Sequence, residues 1–141
     1  MESLINILLV DDNVEDHIFF REAINKINVI GHNVVSVYDG MQALDFLYKR
    51  GNYKNSKEVL PDLIILDLEM PVMDGYTFIK TFKSDFDIGN TPVYVLTGSG
   101  SITDMNSCRE LGCAGFFTKQ SKNDKLTNII ARILEKEASR I

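Results

Sequence analysis

Aspartate, threonine and lysine side chains follow short apolar runs in this sequence, and one aspartate is a strong candidate for chemistry. Leu63–Leu66 (L-I-I-L) leads directly into Asp67 and is followed by proline, acidic and Asp-Gly residues. A short apolar run bounded by turn residues is typical of a strand that is buried on both faces. Because open parallel sheets bind ligands at the carboxyl ends of their strands, Asp67 occupies a position that favours chemistry over simple solvation.

Three other apolar runs also end in polar residues. Asp11 and Asp12 follow the first run, Thr97 follows the fourth and Lys119 follows the fifth. Three carboxylates at one sheet edge repel each other, and a hard divalent cation such as Mg²⁺ relieves that repulsion. Lys119 offers a point charge and Thr97 a hydroxyl donor for phosphate oxygens. We therefore predict that a phosphoryl group is held on or near Asp67, whose carboxylate can itself form an acyl phosphate.

Each of these residues also has an ordinary structural explanation. A lysine or threonine at a strand end is usually solvated, and an Asp-Asp pair often forms a turn and caps a helix. The combination, with one residue type at each appropriate strand end, is far more specific than any member alone.

The elements that would position these residues alternate along the chain. Hydrophobic periodicity predicts five strands and five helices, which implies a doubly wound α/β fold with a five-stranded parallel sheet. The predicted strands are Ile5–Val10, Asn33–Val37, Leu63–Leu66, Val93–Leu96 and Ala114–Thr118. The predicted helices run from Val14 to Asn28, from Asp39 to about Arg50, from a cap at Asp74, from a cap at Ser101 to Gly112, and from about Lys122 to Ala138.

Composition restricts the class of protein further. The 141 residues, 45% hydrophobic, fit one globular domain over 1–141, and no linker or repeat suggests a separate output domain. A net charge of −5 disfavours nucleic-acid binding. No apolar stretch approaches the roughly 20 residues of a membrane span, and no signal peptide is evident. Cys108 and Cys113 are interpreted as packed thiols, so a cytoplasmic location is expected.

Five motifs in the chain stand out together. They are V-D-D at Val10–Asp12, D-G-x-x-A-L at Asp39–Leu44, L-D-x-x-M-P-x-M-D-G at Leu66–Gly75, P-V-Y-V-L-T at Pro92–Thr97 and G-F-F-T-K at Gly115–Lys119. With these motifs the chain clearly resembles the receiver domains of two-component response regulators, especially single-domain regulators of the chemotaxis type. The resemblance implies a flavodoxin-like sheet with strand order 2-1-3-4-5. The chain is also similar, less specifically, to the subgroup associated with phytochrome kinases.

The resemblance implies a phosphoryl acceptor and a metal site. Asp67 would accept a phosphoryl group from a phosphohistidine on a sensor histidine kinase or a phosphotransfer protein. Asp12, Asp67 and the backbone carbonyl of Glu69 would bind Mg²⁺, and Asp11 would act through water.

The resemblance also implies a switch. Thr97 and Lys119 would contact the phosphoryl oxygens, and Phe116 would rotate inward as Thr97 moves. The fourth helix, fifth strand and fifth helix would form the surface that contacts a downstream protein or a second copy of the chain. No enzymatic activity beyond slow self-dephosphorylation is expected.

Two residues depart from the family pattern. Gln120 follows Lys119 where the family usually has a cis-proline, and because a cis bond to a non-proline residue costs about 2.5–4 kcal/mol, we predict a trans bond there. Glu69 is acidic where many relatives are neutral. We expect it to approach Lys119 in the empty site and to slow the loss of phosphate.

Two other functions are compatible with parts of the pattern. A receiver-shaped interaction module could have stopped using phosphate, although all the acceptor-site residues are present. A metal-dependent phosphohydrolase uses the same aspartyl-phosphate chemistry, but such enzymes tend to carry an aspartate at the position of Glu69 and a cap domain, and no insertion of that size exists here.

Overall fold

The computed structural model describes residues 4–27, 31–85, 89–98, 100–119 and 123–139, and it shows the predicted alternation of strands and helices. No helix in these ranges is both long enough and apolar enough to cross a membrane. The strands are β1 Ile5–Val10, β2 His32–Val37, β3 Leu63–Leu66, β4 Val93–Thr97 and β5 Gly115–Thr118. The helices are α1 Val14–Asn25, α2 Gly40–Tyr48, α3 Gly75–Lys83, α4 Ile102–Glu110 and α5 Asn123–Ala138, with a 3₁₀ turn at Gly51–Tyr53.

All neighbouring strands pair in parallel, in the order β2-β1-β3-β4-β5, so the predicted fold class and strand order are confirmed. Val10 at the end of β1 lies opposite Leu66 at the end of β3, and Thr97 at the end of β4 lies opposite Thr118 of β5. This register brings the residues that follow the strands to one edge of the sheet.

The core forms one layer on each face of the sheet, because successive strand side chains point to opposite faces. Leu8 and Val10 pack in the layer that contains α2, α3 and the buried side chain of α4. Ile7 and Leu9 pack in the layer that contains α1 and α5. All four residues of β3 are buried, since β3 is the central strand, and this explains why its apolar run is unbroken.

Short polar side chains begin the first four helices at the edge of the sheet where the strands end. The predicted caps at Asp39, Asp74 and Ser101 each accept one backbone N–H of the first turn, at 2.8, 2.8 and 3.0 Å respectively. Asn13 Oδ1 accepts two such bonds in α1. A side chain at Gly75 would place its Cβ 2.7 Å from the Cα of Leu68, so the turn from β3 into α3 requires glycine.

Candidate functional site

Three carboxylates meet at the carboxyl edge of the sheet. One oxygen from each of Asp11, Asp12 and Asp67 lies within 4.8 Å of the others, and only Asp12 is exposed. The backbone N–H of Asp67 donates to the carbonyl of Val10 at 3.0 Å, which extends the β1–β3 ladder by one residue and fixes where this carboxylate emerges. The three are hard oxygen donors of the kind that Mg²⁺ binds, so this group of residues fits a divalent cation.

The Lys119 ammonium lies among carboxylates on the side of the site nearest α1. Its Nζ is 2.8 Å from Asp11 Oδ2, 2.8 Å from Asp16 Oδ2 and 3.5 Å from Asp67 Oδ2. Glu69 is exposed and is not one of its ion-pair partners. The expected approach of Glu69 to Lys119 is therefore wrong for this structure: Asp16 takes that place, because the Glu69 side chain points to solvent.

Burial and charge together set the protonation of these groups. Burial raises the pKa values of Asp11 and Asp67, and the Lys119 ammonium offsets only part of this effect. Burial lowers the pKa of Lys119, but the hydrogen bonds to Asp11 and Asp16 outweigh it and leave the pKa above its usual range. One lysine thus compensates the carboxylates incompletely, and an added divalent cation would lower the energy of the site.

Thr97, at the end of β4, is completely buried. Its hydroxyl lies beside Asp67, but Oγ1 has no partner with hydrogen-bonding geometry among the described residues. A buried hydroxyl without a partner is costly and uncommon in folded proteins. An oxygen of a group attached to Asp67 would provide the missing partner.

Phe116 lies in β5, one strand beyond Thr97. Its ring is partly buried against the core layer that contains α2 and α3, and it lines a small cleft with Cys108 and Met105 of α4. The position is next to the helix that the resemblance assigns to the switch surface.

A trans conformation was predicted for the peptide bond between Lys119 and Gln120, but Gln120 lies outside the described residues.

Two residues of α1 contact the site although their pattern in the sequence does not reveal it. Asp16 reaches Lys119, as described above. His17 is 3% exposed, its Nε2 lies 2.7 Å from the carbonyl oxygen of Asp11, and its Nδ1 lies 2.9 Å from Ser36 Oγ. Because a carbonyl only accepts, Nε2 carries the hydrogen of the bond to Asp11.

The burial of His17 could have been inferred from the sequence, since His17 is three residues before Phe20 on the apolar stripe of α1. Its contact with Ser36 could not have been inferred, because Ser36 lies in β2, 19 residues away along the chain.

A cavity of about 470 Å³ opens beside the carboxylates, between α1 and the sheet. Its polar side is formed by Asp11, Asp16, Asp67 and Lys119, and its apolar side includes Phe20. The Asp67 carboxylate therefore borders open space large enough for a phosphoryl group.

Comparison with known proteins identifies close relatives of this arrangement. The family model of the response regulator receiver domain matches residues 7–131. The response regulator Rcp1 of Synechocystis sp. is 37% identical over 119 residues, which cover 84% of this chain and 78% of Rcp1.

Two solved structures have the same fold at comparable identity. The phosphorylated cyanobacterial phytochrome response regulator RcpA superposes with a TM-score of 0.87 at 34% identity, covering 99% of this chain and 97% of RcpA. The Mn²⁺-bound form of the response regulator Rcp1 superposes with a TM-score of 0.80 at 33% identity, covering 92% of this chain and 91% of that one. The predicted similarity to receiver domains, including phytochrome-associated ones, is confirmed.

Proposed function

The chain belongs to the family of response regulator receiver domains, and we propose that it is a phosphorylation switch in which Asp67 accepts the phosphoryl group. One observation carries the proposal. Asp67 lies in a cluster of three carboxylates within 4.8 Å of one another, at the edge of the sheet that also presents Lys119 and Thr97. No single element supplies this group, so a purely structural explanation would need several coincidences.

Receiver domains bind Mg²⁺ or Mn²⁺ in an acidic pocket, as in the Mn²⁺-bound relative. In this chain we assign the metal to the carboxylates of Asp11, Asp12 and Asp67 and to the backbone carbonyl of Glu69. The bound ion would neutralise carboxylate charge and shield the incoming phosphoryl oxygens from it.

The proposed transfer is a displacement at phosphorus. A carboxylate oxygen of Asp67 attacks, the P–N bond of the phosphohistidine breaks, and the imidazole leaves with the electron pair and takes a proton from solvent. Lys119 stabilises the phosphoryl oxygens by charge and the Thr97 hydroxyl donates a hydrogen bond to one of them. The product is an acyl phosphate on Asp67, without net turnover of a substrate.

We propose that this change is read at the surface formed by α4, β5 and α5. Movement of Thr97 toward the phosphoryl group leaves space in the core layer, and Phe116 turns into that space from its partly buried position. The altered surface then binds a protein partner or a second copy of the chain. Sedimentation velocity with and without the phosphoryl mimic would distinguish these two outcomes.

Receiver domains interact with histidine kinases or phosphotransfer proteins. Because RcpA and related solved structures are described as phytochrome response regulators, we propose phytochrome-type sensor kinases as the first donors to test. A time course of transfer from labelled kinases would rank them.

The central test uses beryllofluoride, which mimics the phosphoryl group. We expect wild-type protein to form a one-to-one complex by ¹⁹F NMR, only with Mg²⁺ present, and Asp67→Asn to form none. Asp62 directly precedes the first residue of β3, so Asp62→Asn is the matched control and should bind beryllofluoride as the wild type does. A folded wild-type protein without a complex, or a complex that persists in Asp67→Asn, would contradict the proposal.

A further inference from the structure

The Lys119 ammonium is shared among three carboxylates, and one of them lies outside the acidic cluster. Asp11 and Asp67 belong to that cluster, whereas Asp16 comes from the first turn of α1. Lys119 Nζ is 2.8 Å from Asp16 and 3.5 Å from Asp67. In this state the lysine is therefore closer to Asp16 than to the acceptor.

The backbone that carries the Asp16 carboxylate is fixed by the cap of α1. Its backbone N–H donates to both the side chain and the carbonyl oxygen of Asn13, at 3.3 and 3.1 Å. The next residue, His17, joins the same turn to the backbone of Asp11. The Asp16 side chain is 29% exposed and that of Lys119 is 23% exposed, so the pair is partly shielded from solvent. A fixed, partly shielded carboxylate is a better competitor for an ammonium group than a mobile surface one.

We propose that Asp16 is a positioning residue that holds Lys119 away from the acceptor in the unphosphorylated protein and thereby lowers the affinity of the site for a phosphoryl group. This inference rests on the proposed function of Asp67. Before transfer, Lys119 has Asp16 as a close partner at the edge of the site. After transfer, the phosphoryl oxygens compete for the same ammonium, and Lys119 gives up part of its contact with Asp16 to reach them.

The proposal predicts the direction in which the affinity for a phosphoryl mimic changes when the Asp16 charge is removed. Removing the Asp16 charge raises the energy of the unphosphorylated state relative to the phosphorylated one, so the phosphoryl mimic binds more tightly. Asp16→Asn keeps the size of the side chain and should tighten beryllofluoride binding by about two- to fivefold, the range expected for a partly exposed ion pair. Asp16→Glu retains the carboxylate and should return the affinity toward the wild-type value.

Two controls separate this effect from a general change of charge. Glu15 precedes Asp16 in the same helical turn, is exposed and makes no ion pair with Lys119. Glu15→Gln removes the same charge and should leave the affinity within about 1.5-fold of wild type, because solvent and salt screen exposed charges. In a Lys119→Met background, Asp16→Asn should have no effect, because Asp16 acts through Lys119.

The experiment is a calorimetric titration of the full chain with beryllofluoride at saturating Mg²⁺, for the wild type, the three single variants at positions 15 and 16, Lys119→Met and the double variant. Circular dichroism establishes that each is folded. Tighter binding in Asp16→Asn alone, lost in the Lys119→Met background, supports the inference. An Asp16→Asn affinity equal to that of Glu15→Gln, or an equal gain without Lys119, overturns it. If the wild type forms no complex, the proposed function fails; if the wild type binds beryllofluoride and Asp16→Asn binds it no more tightly, this inference alone fails.

Discussion

Helices α1 and α4 both begin at the carboxyl edge of the sheet, yet they are anchored very differently. α1 buries four side chains, among them Phe20 and Ile24, and contacts the site through Asp16 and His17. α4 buries one side chain, Cys108. Burial of apolar groups provides most of the free energy that holds a surface helix on its sheet. Displacing α4 therefore requires less free energy than displacing α1.

The difference suggests a division of labour within one small domain. The α1 side carries Asp16 and His17, whose contacts fix where Lys119 and the backbone of Asp11 lie, and dense anchoring of the helix serves that requirement. Under the proposed function, the α4 side changes when the phosphoryl group is present, and the weak anchoring of α4 would permit that change. A switch needs both properties, and this fold assigns them to opposite faces of the sheet.

The first prediction compares core deletions in the two helices. Phe20→Ala should lower the free energy of unfolding by about 3–5 kcal/mol, because it removes a large buried ring from the α1 layer. Cys108→Ala should lower it by only about 1 kcal/mol. Burial raises the pKa of the Cys108 thiol to about 12, so at neutral pH Cys108→Ala removes an uncharged group. Urea unfolding followed by circular dichroism measures both values, and equal losses would remove the contrast between the helices.

The second prediction concerns the hydroxyl of Thr97, between the two regions. Thr97→Val removes a hydroxyl that has no partner with hydrogen-bonding geometry in the part of the chain that the structure describes. It also keeps the shape of the side chain, so the free energy of unfolding should stay the same or rise slightly. Its affinity for beryllofluoride should fall about tenfold, the loss of a hydrogen bond to a charged group. Thr97→Ser keeps the hydroxyl and should bind more tightly than Thr97→Val in the same titration. A loss of stability in Thr97→Val would mean that the hydroxyl is already paired.

The third prediction tests the charge on the α1 side through pH, in buffer containing a metal chelator. Because burial raises the pKa of Asp67 above its ordinary value of 3.8, the folded protein binds this proton more tightly than the unfolded chain. Protonation therefore stabilises the fold as pH falls through the raised value, and the ionised carboxylate costs stability at neutral pH. Asp67→Asn should raise the free energy of unfolding at neutral pH by about 1 kcal/mol.

The gain of Asp67→Asn over wild type should shrink as the pH is lowered from neutral toward the raised pKa of Asp67, because the wild-type carboxyl then begins to protonate. Urea unfolding across this range measures it. Asp62→Asn on the same strand reports the effect of a similar substitution away from the site. A gain that grows toward acid would show that the ionised form is the stabilised one.

The smallest effect is expected at the polar link between α3 and α4. The Tyr76 hydroxyl donates to the Asp104 carboxylate of α4, and Tyr76→Phe removes that bond at a cost of about 1 kcal/mol. Hydrogen exchange measured by mass spectrometry should quicken in α4 and stay unchanged in α1. Tyr48→Phe is the matched control. It removes the 2.9 Å hydrogen bond that Tyr48, the last residue of α2, donates to Asp85. Unchanged exchange in α4 would mean that its position does not depend on this bond.

Much of the architecture could be predicted because it depends on local patterns. β1 and β3 have the predicted boundaries, since their runs are apolar and buried, with Asn6 of β1 as the one half-buried polar residue. Helix ends were less predictable: α1 ends at Asn25 rather than Asn28, because helix ends depend on competing caps and on the chain that follows. The expected role of Glu69 beside Lys119 was wrong, since spacing along a loop does not determine where its side chains point.

Local patterns in the chain were sufficient to predict the sequential order of strands and helices, the position of Asp67 directly after a buried strand, and the acidic, hydroxyl and basic residues at the strand ends. These follow from periodicity and from residue type, which are local properties. Only the tertiary structure decided that Lys119 is paired with Asp16, 103 residues away, and that His17 supports the backbone of Asp11. Such contacts depend on how α1 packs on the face of the sheet that it shares with α5, and no local pattern encodes that geometry.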